Sequence, residues 1–141
     1  MSAPEFSSVP KRFSAYIGGF TGASYSLELR DEALAYTVSE SGAQNSSLKL
    51  ITPTPAQWRE FRQILDDINV WQWHSGYRSD GVVDGTQWSL DIAYADHAVK
   101  THGDNNYPYI TGKPNGQPYP TQAFNRYLAA IKKLTGGKIF E

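Results

Sequence analysis

A chain of 141 residues with a formal net charge of −1 and no cysteine excludes several classes of function. It lacks the basic excess on which general nucleic-acid binding rests. It has no thiolate nucleophile and no disulfide, so a zinc site would need His and carboxylate ligands alone. No apolar run of about 18 residues is present to make a membrane helix, while a hydrophobic fraction of 40% with 13% aromatics suffices for the core of one domain.

Residues 1–10 hold two prolines and three serines. They read as a flexible lead without the apolar segment of a signal peptide, which makes the cytoplasm the default location and places a single domain at 11–141. Phe13, Ala15 and Ile17 alternate with Ser14 and Tyr16, and Gly18-Gly19 reads as the turn that ends this strand. Tyr25, Leu27 and Leu29, then Leu34, Tyr36 and Val38, keep the same period of two on either side of Asp31-Glu32. That pattern predicts a hairpin. After the polar stretch 39–47, residues 48–52 form a short apolar run, read as a further strand.

Thr54, Pro55 and Gln57 spell a capping box with proline at the first helical position. Trp58, Phe61, Ile64, Leu65 and Ile68 follow at helical spacing, so a helix is expected over 55–70. Arg62 and Asp66 stand one turn apart, in the weaker order for such a pair. Residues 71–84 read as irregular. Trp88, Leu90, Ile92 and Tyr94 then alternate with Gln87, Ser89, Asp91 and Ala93, the clearest strand in the chain. Ala95-Asp96-His97 is its turn and 98–102 its hairpin partner.

Residues 103–120, with four prolines and three glycines, read as a long loop pinned by Tyr107, Tyr109, Ile110 and Tyr119. A loop of this length is usually functional or disordered. Phe124, Tyr127, Leu128, Ile131 and Leu134 mark a second helix, closed by Gly136-Gly137. The expected fold is α+β: an antiparallel sheet of about five to six strands in the order β-β-β-β-α-β-β-α, with two helices on one face and the other face wet.

Chemistry-bearing residues concentrate in 71–108, which holds Trp71, Trp73, Trp88, all three histidines and several aspartates. The tryptophans are read as core. Asp80 and Asp84 each precede glycine and are read as turn residues. His97 and His102 lie at opposite ends of a short strand, about 16 Å apart if extended, and no His pair has helical metalloprotease spacing. No metal site is expected. No phosphate loop, nucleophile elbow or dinucleotide fingerprint is present, so no cofactor is expected. Arg126, Lys132, Lys133 and Lys138 are read as a solvated basic face.

Trp71-x-Trp73, Tyr77, Asp84-Gly85-Thr86-x-Trp88, Gly103-x-Asn105-x-Tyr107-Pro108 and Phe124 resemble a pattern in small uncharacterised bacterial proteins, over roughly residues 58–135. The resemblance implies that these positions form one structural or binding unit. It implies no catalytic residue.

The expected function is a non-enzymatic binding or interaction module of a bacterial cell, recognising a protein or a small polar ligand, with neither nucleic acid nor membrane as partner. Gln87, Ser89 and Asp91 on the last hairpin, with Asn105, Asn106, Tyr107 and Tyr109 in the 103–120 loop, are the candidate contacts. The alternative is a small hydrolase acting on a glycan or phosphoester, with Asp91, His102 and Asp104 as acid–base groups. A third reading is a structural domain that dimerises through an exposed edge strand. The oligomeric state stays open.

Overall fold

A computed structural model describes residues 9–19, 23–31, 33–40, 46–78, 86–104, 107 and 121–140. Among the described residues the chain forms an α+β fold with seven strands and two helices: β1 (Arg12–Gly19), β2 (Ala23–Arg30), β3 (Ala33–Glu40), β4 (Ser46–Ile51), α1 (Pro55–Asp67), β5 (Gly76–Arg78), β6 (Thr86–Ala93), β7 (Ala98–Asp104) and α2 (Gln122–Leu134). They make one sheet in the order β4-β3-β2-β1-β6-β7-β5. Strand β1 is central: it pairs antiparallel with β2 on one side and, from Arg12↔Ala93 to Gly19↔Thr86, with all of β6 on the other.

The sheet differs from the sequence expectation in two respects. It has seven strands, and it is mixed, because β5 pairs parallel with β7. Three residues show no readable period. β5 is held by tertiary contacts instead: Tyr77 is buried in the core, the Thr101 hydroxyl donates to the His74 carbonyl, and the His102 amide donates to the Ser75 carbonyl at 3.1 Å. Gly18-Gly19, expected as a turn, is the end of β1.

α1 begins as its capping signal predicts. The Thr54 hydroxyl accepts from the Gln57 amide at 3.1 Å, and the Gln57 side chain accepts from the Thr54 amide at 2.8 Å. It ends at Asp67 rather than 70, because Asn69 takes a left-handed conformation (φ 58°) and a single 3₁₀ turn, Val70–Gln72, follows. α2 closes with Gly136 and Gly137 at φ 73° and 101°. Their amides donate to the Lys133 and Lys132 carbonyls at 3.2 and 2.7 Å, the pairing of a Schellman cap, which needs the left-handed residue that glycine supplies.

Both helices contribute to one core on one face of the sheet. Phe13 packs with Trp58 and Phe61 of α1, and Trp88, 2% exposed, packs with Trp73, Tyr77 and Phe124. Trp73 is buried and Trp71 half-buried. Among the described residues, no helix is long and apolar enough to cross a membrane.

Candidate functional site

Alternation along each strand sends every second side chain away from the helices. Register then builds rows on that open face. One row reads Leu48, Thr37, Ser26, Tyr16, Ser89, His102 and Gly76 from edge to edge. The next reads Leu50, Ala35, Glu28, Ser14, Asp91 and Lys100, and another joins Gly18, Gln87 and Asp104. The surface is thus mostly hydroxyls and small side chains, with two rings, Tyr16 and His102, on either side of Ser89.

Both rings lean away from Ser89. The Tyr16 hydroxyl donates to Ser24 Oγ on β2 at 3.3 Å, which carries the side chain across Gly18, where a Cβ would collide with the Tyr16 hydroxyl and the Ser24 side chain. His102 lies toward the other edge, with its Nε2 3.3 Å from the place a Cβ would occupy on Gly76. Each side chain reaches to a glycine that has no side chain of its own to compete with it. The result is a slot about two strand spacings, ~10 Å, wide, with Ser89 on its floor.

Two adjoining depressions occupy this face. One, of about 260 Å³, is lined by Tyr16, Gln87, Ser89, His102 and Asp104. The other, of about 280 Å³, lies over β1–β3 and is lined by Ser14, Tyr16, Ser26, Glu28, Thr37 and Ser89 among others. Tyr16 and Ser89 are shared by both.

The sequence candidates distribute as follows. Gln87, Ser89, Asp91, His102 and Asp104 all fall on the open face. Asp91 is engaged by Arg12, whose guanidinium reaches its Oδ1 at 2.9 Å, and it sits opposite Lys100. Asp91 and Asp104 are separated by several residue steps, because Asp104 is opposite Gln87. Tyr107 does not reach this face. It is 4% exposed, its ring centroid 4.7 Å from that of Phe124, and burial raises its phenol pKa against a hydrogen bond with Thr86. Tyr107 is a core pin and offers no contact surface. Asn105, Asn106 and Tyr109 lie outside the described residues, as do Asp80 and Asp84. Among the described residues, no three His, Asp or Glu side chains are grouped to hold a metal.

One constellation escaped the sequence reading. The Arg62 guanidinium on α1 donates to both Asp96 carboxylate oxygens at 3.1 and 2.8 Å and to Asp66 at 2.9 Å. Its carbon lies 4.6 Å from the Tyr94 ring centroid and 5.2 Å from that of Trp71. The Trp71 indole donates to the same Asp66 oxygen at 2.7 Å. The hydrogen bonds from Arg62 hold the Asp96 carboxyl far below the usual carboxylate range, and the same pair holds the guanidinium protonated. This clamp ties α1 to the β6–β7 turn and so fixes the hairpin that carries Ser89 and His102. Only its Arg62–Asp66 pair was legible as helical spacing. The remainder joins residues far apart in the chain.

No protein-family model matches the chain, and no curated protein is significantly similar to it in sequence.

Proposed function

We propose that this chain is a non-enzymatic binding module of a bacterial cell that recognises a protein or a small polar ligand through the open face of the β6–β7 hairpin and through the 103–120 loop. The slot between Tyr16 and His102 carries the reading. It is a shallow depression lined by Ser89, Gln87 and Asp104 among others, and its rings are held off its floor by contacts elsewhere. A concave site with a few convergent polar groups is the usual form of a ligand pocket. The bacterial setting rests on the resemblance of the Trp71–Phe124 pattern, and the cytoplasmic one on a chain without cysteine, which suits a reducing compartment.

The test is a screen of polar small molecules and short peptides against ¹⁵N-labelled protein. Binders are expected to shift the amides of Tyr16, Gln87, Ser89 and His102. Shifts confined to the helix-covered side, or none from any compound, would remove the reading.

A hydrolase is the second reading, favoured by one observation: His102 and Asp104 stand two residues apart on β7, about 7 Å, and line the same depression. Asp91 contributes less to it, since Arg12 already holds its carboxylate. Release of p-nitrophenol from glycoside or phosphate esters, abolished by His102→Ala and by Asp104→Asn, is the result it requires.

A further inference from the structure

The two edges of the sheet are unequal. β5 is three residues long, whereas β4 is a six-residue strand bonded on one side to β3 and, among the described residues, to no strand on the other. An edge strand turns half of its amides and carbonyls outward, a template for another extended chain. On the open face of this edge stand Leu48 and Leu50, 52% and 61% exposed. On the opposite side Lys49 is paired in register with the core residue Tyr36. The C-terminal tail runs there, since the Tyr36 hydroxyl donates to the Ile139 carbonyl at 2.6 Å. This brings the Lys138 ammonium against that of Lys49, which lowers its pKa.

We propose that β4 is a docking edge for an extended acidic segment of another protein, which adds to the sheet as an eighth strand. Its carboxylates would face Lys49 and Lys138, and its apolar side chains Leu48 and Leu50. This goes beyond the open-face reading and uses a different surface. Main-chain bonds would supply affinity and the alternating side chains specificity, as in other strand additions.

A second copy suits this edge less well than an acidic segment. Pairing two β4 edges with their helices on the same side would bring the Lys49 and Lys138 ammonium groups of both chains to one seam. Like charges in such positions are destabilising, and an inward-pointing edge charge is a known device against self-pairing. The same cation pair attracts a carboxylate.

The probes are two soluble nine-residue peptides, one alternating valine with glutamate and one alternating valine with lysine, titrated into ¹⁵N-labelled protein. The glutamate peptide is expected to shift the Leu48, Lys49 and Leu50 amides saturably, with an affinity that falls as salt rises. The lysine peptide is expected to bind at least about tenfold more weakly, the ratio expected when a single close charge pair decides. In the double variant Lys49→Glu, Lys138→Glu the preference should reverse. Equal response to both peptides, or no response at β4, overturns the proposal without touching the open-face reading. So does a concentration-dependent dimer whose interface is β4. If the variant does not fold, the comparison of the two peptides on the unaltered protein still decides.

Discussion

The Tyr16 hydroxyl meets Ser24 Oγ at 3.3 Å by crossing directly over Gly18. Glycine within a strand is ordinarily unfavourable. Here it is required, because a Cβ would collide with the Ser24 side chain and with the Tyr16 hydroxyl. Gly18→Ala should therefore destabilise the fold by about 1–3 kcal/mol, as overpacking does, although alanine is the better strand residue. The penalty should shrink in a Tyr16→Ala background, with a coupling of at least ~0.5 kcal/mol. Urea unfolding of the four proteins measures this, and strictly additive values would refute it.

Arg62 illustrates why a cation is not interchangeable with another. Its side chain is 17% exposed, forks onto Asp96 and lies against the faces of Tyr94 and Trp71. Lysine keeps the charge but loses the fork and the planar stacking. Arg62→Lys is expected to cost about 1–2 kcal/mol, within the range of a partly desolvated cation–π contact, and to loosen the β6–β7 turn. Hydrogen exchange at Asp96 and His97 should rise more than at β2. Unchanged stability and exchange would show the clamp to be idle.

The same clamp sets a pH dependence. Arg62 lowers the Asp96 pKa in the folded protein, so the unfolded state binds the proton more readily. The stabilisation is complete above the unfolded carboxyl value, about 4, and is lost as pH falls below it toward the folded value. The stability gap between the native protein and Asp96→Asn should therefore narrow from pH 7 to pH 3. A gap that stays constant over that interval contradicts the assignment.

Two buried tyrosines should respond in opposite ways. The Tyr127 hydroxyl is buried and has no hydrogen-bond partner among the described residues, and burial pushes its pKa up. Tyr127→Phe removes an unmet polar group and should be neutral or stabilising by up to about 1 kcal/mol. Tyr36→Phe instead strips the Ile139 carbonyl of its donor and should cost about 1–2 kcal/mol. Thermal unfolding separates them, and a comparable loss in both would show that Tyr127 has a partner.

Much of the fold was legible because its elements carry strong local patterns. The capping box at Thr54, the stripes of α1 and α2, and the alternation of β6 all speak within a few residues. β5 was not legible, since Gly76–Arg78 becomes a strand only through contacts with β7. Gly18 was misread because the groups that crowd it are the Tyr16 hydroxyl, from two residues earlier on the same strand, and the Ser24 side chain on β2, a relation no turn rule encodes. For the site, alternation sufficed to put Gln87, Ser89 and Asp91 on one face. Tyr107 carried two readings, a pin of the loop and a binding contact, and its burial against Phe124 favours the pin. The roles of Tyr16 and His102 depend on register across the sheet, which joins residues more than seventy apart in the chain.

The central claim is that the Tyr16–Ser89–His102 slot is where a partner or ligand is held. The direct measurement is titration calorimetry of the first binder from the amide-shift screen against the native protein and Ser89→Trp, whose indole would fill the slot while the core face stays untouched. An affinity loss of about tenfold or more with an unchanged melting temperature is the predicted result. An unchanged affinity for a correctly folded Ser89→Trp would contradict the account.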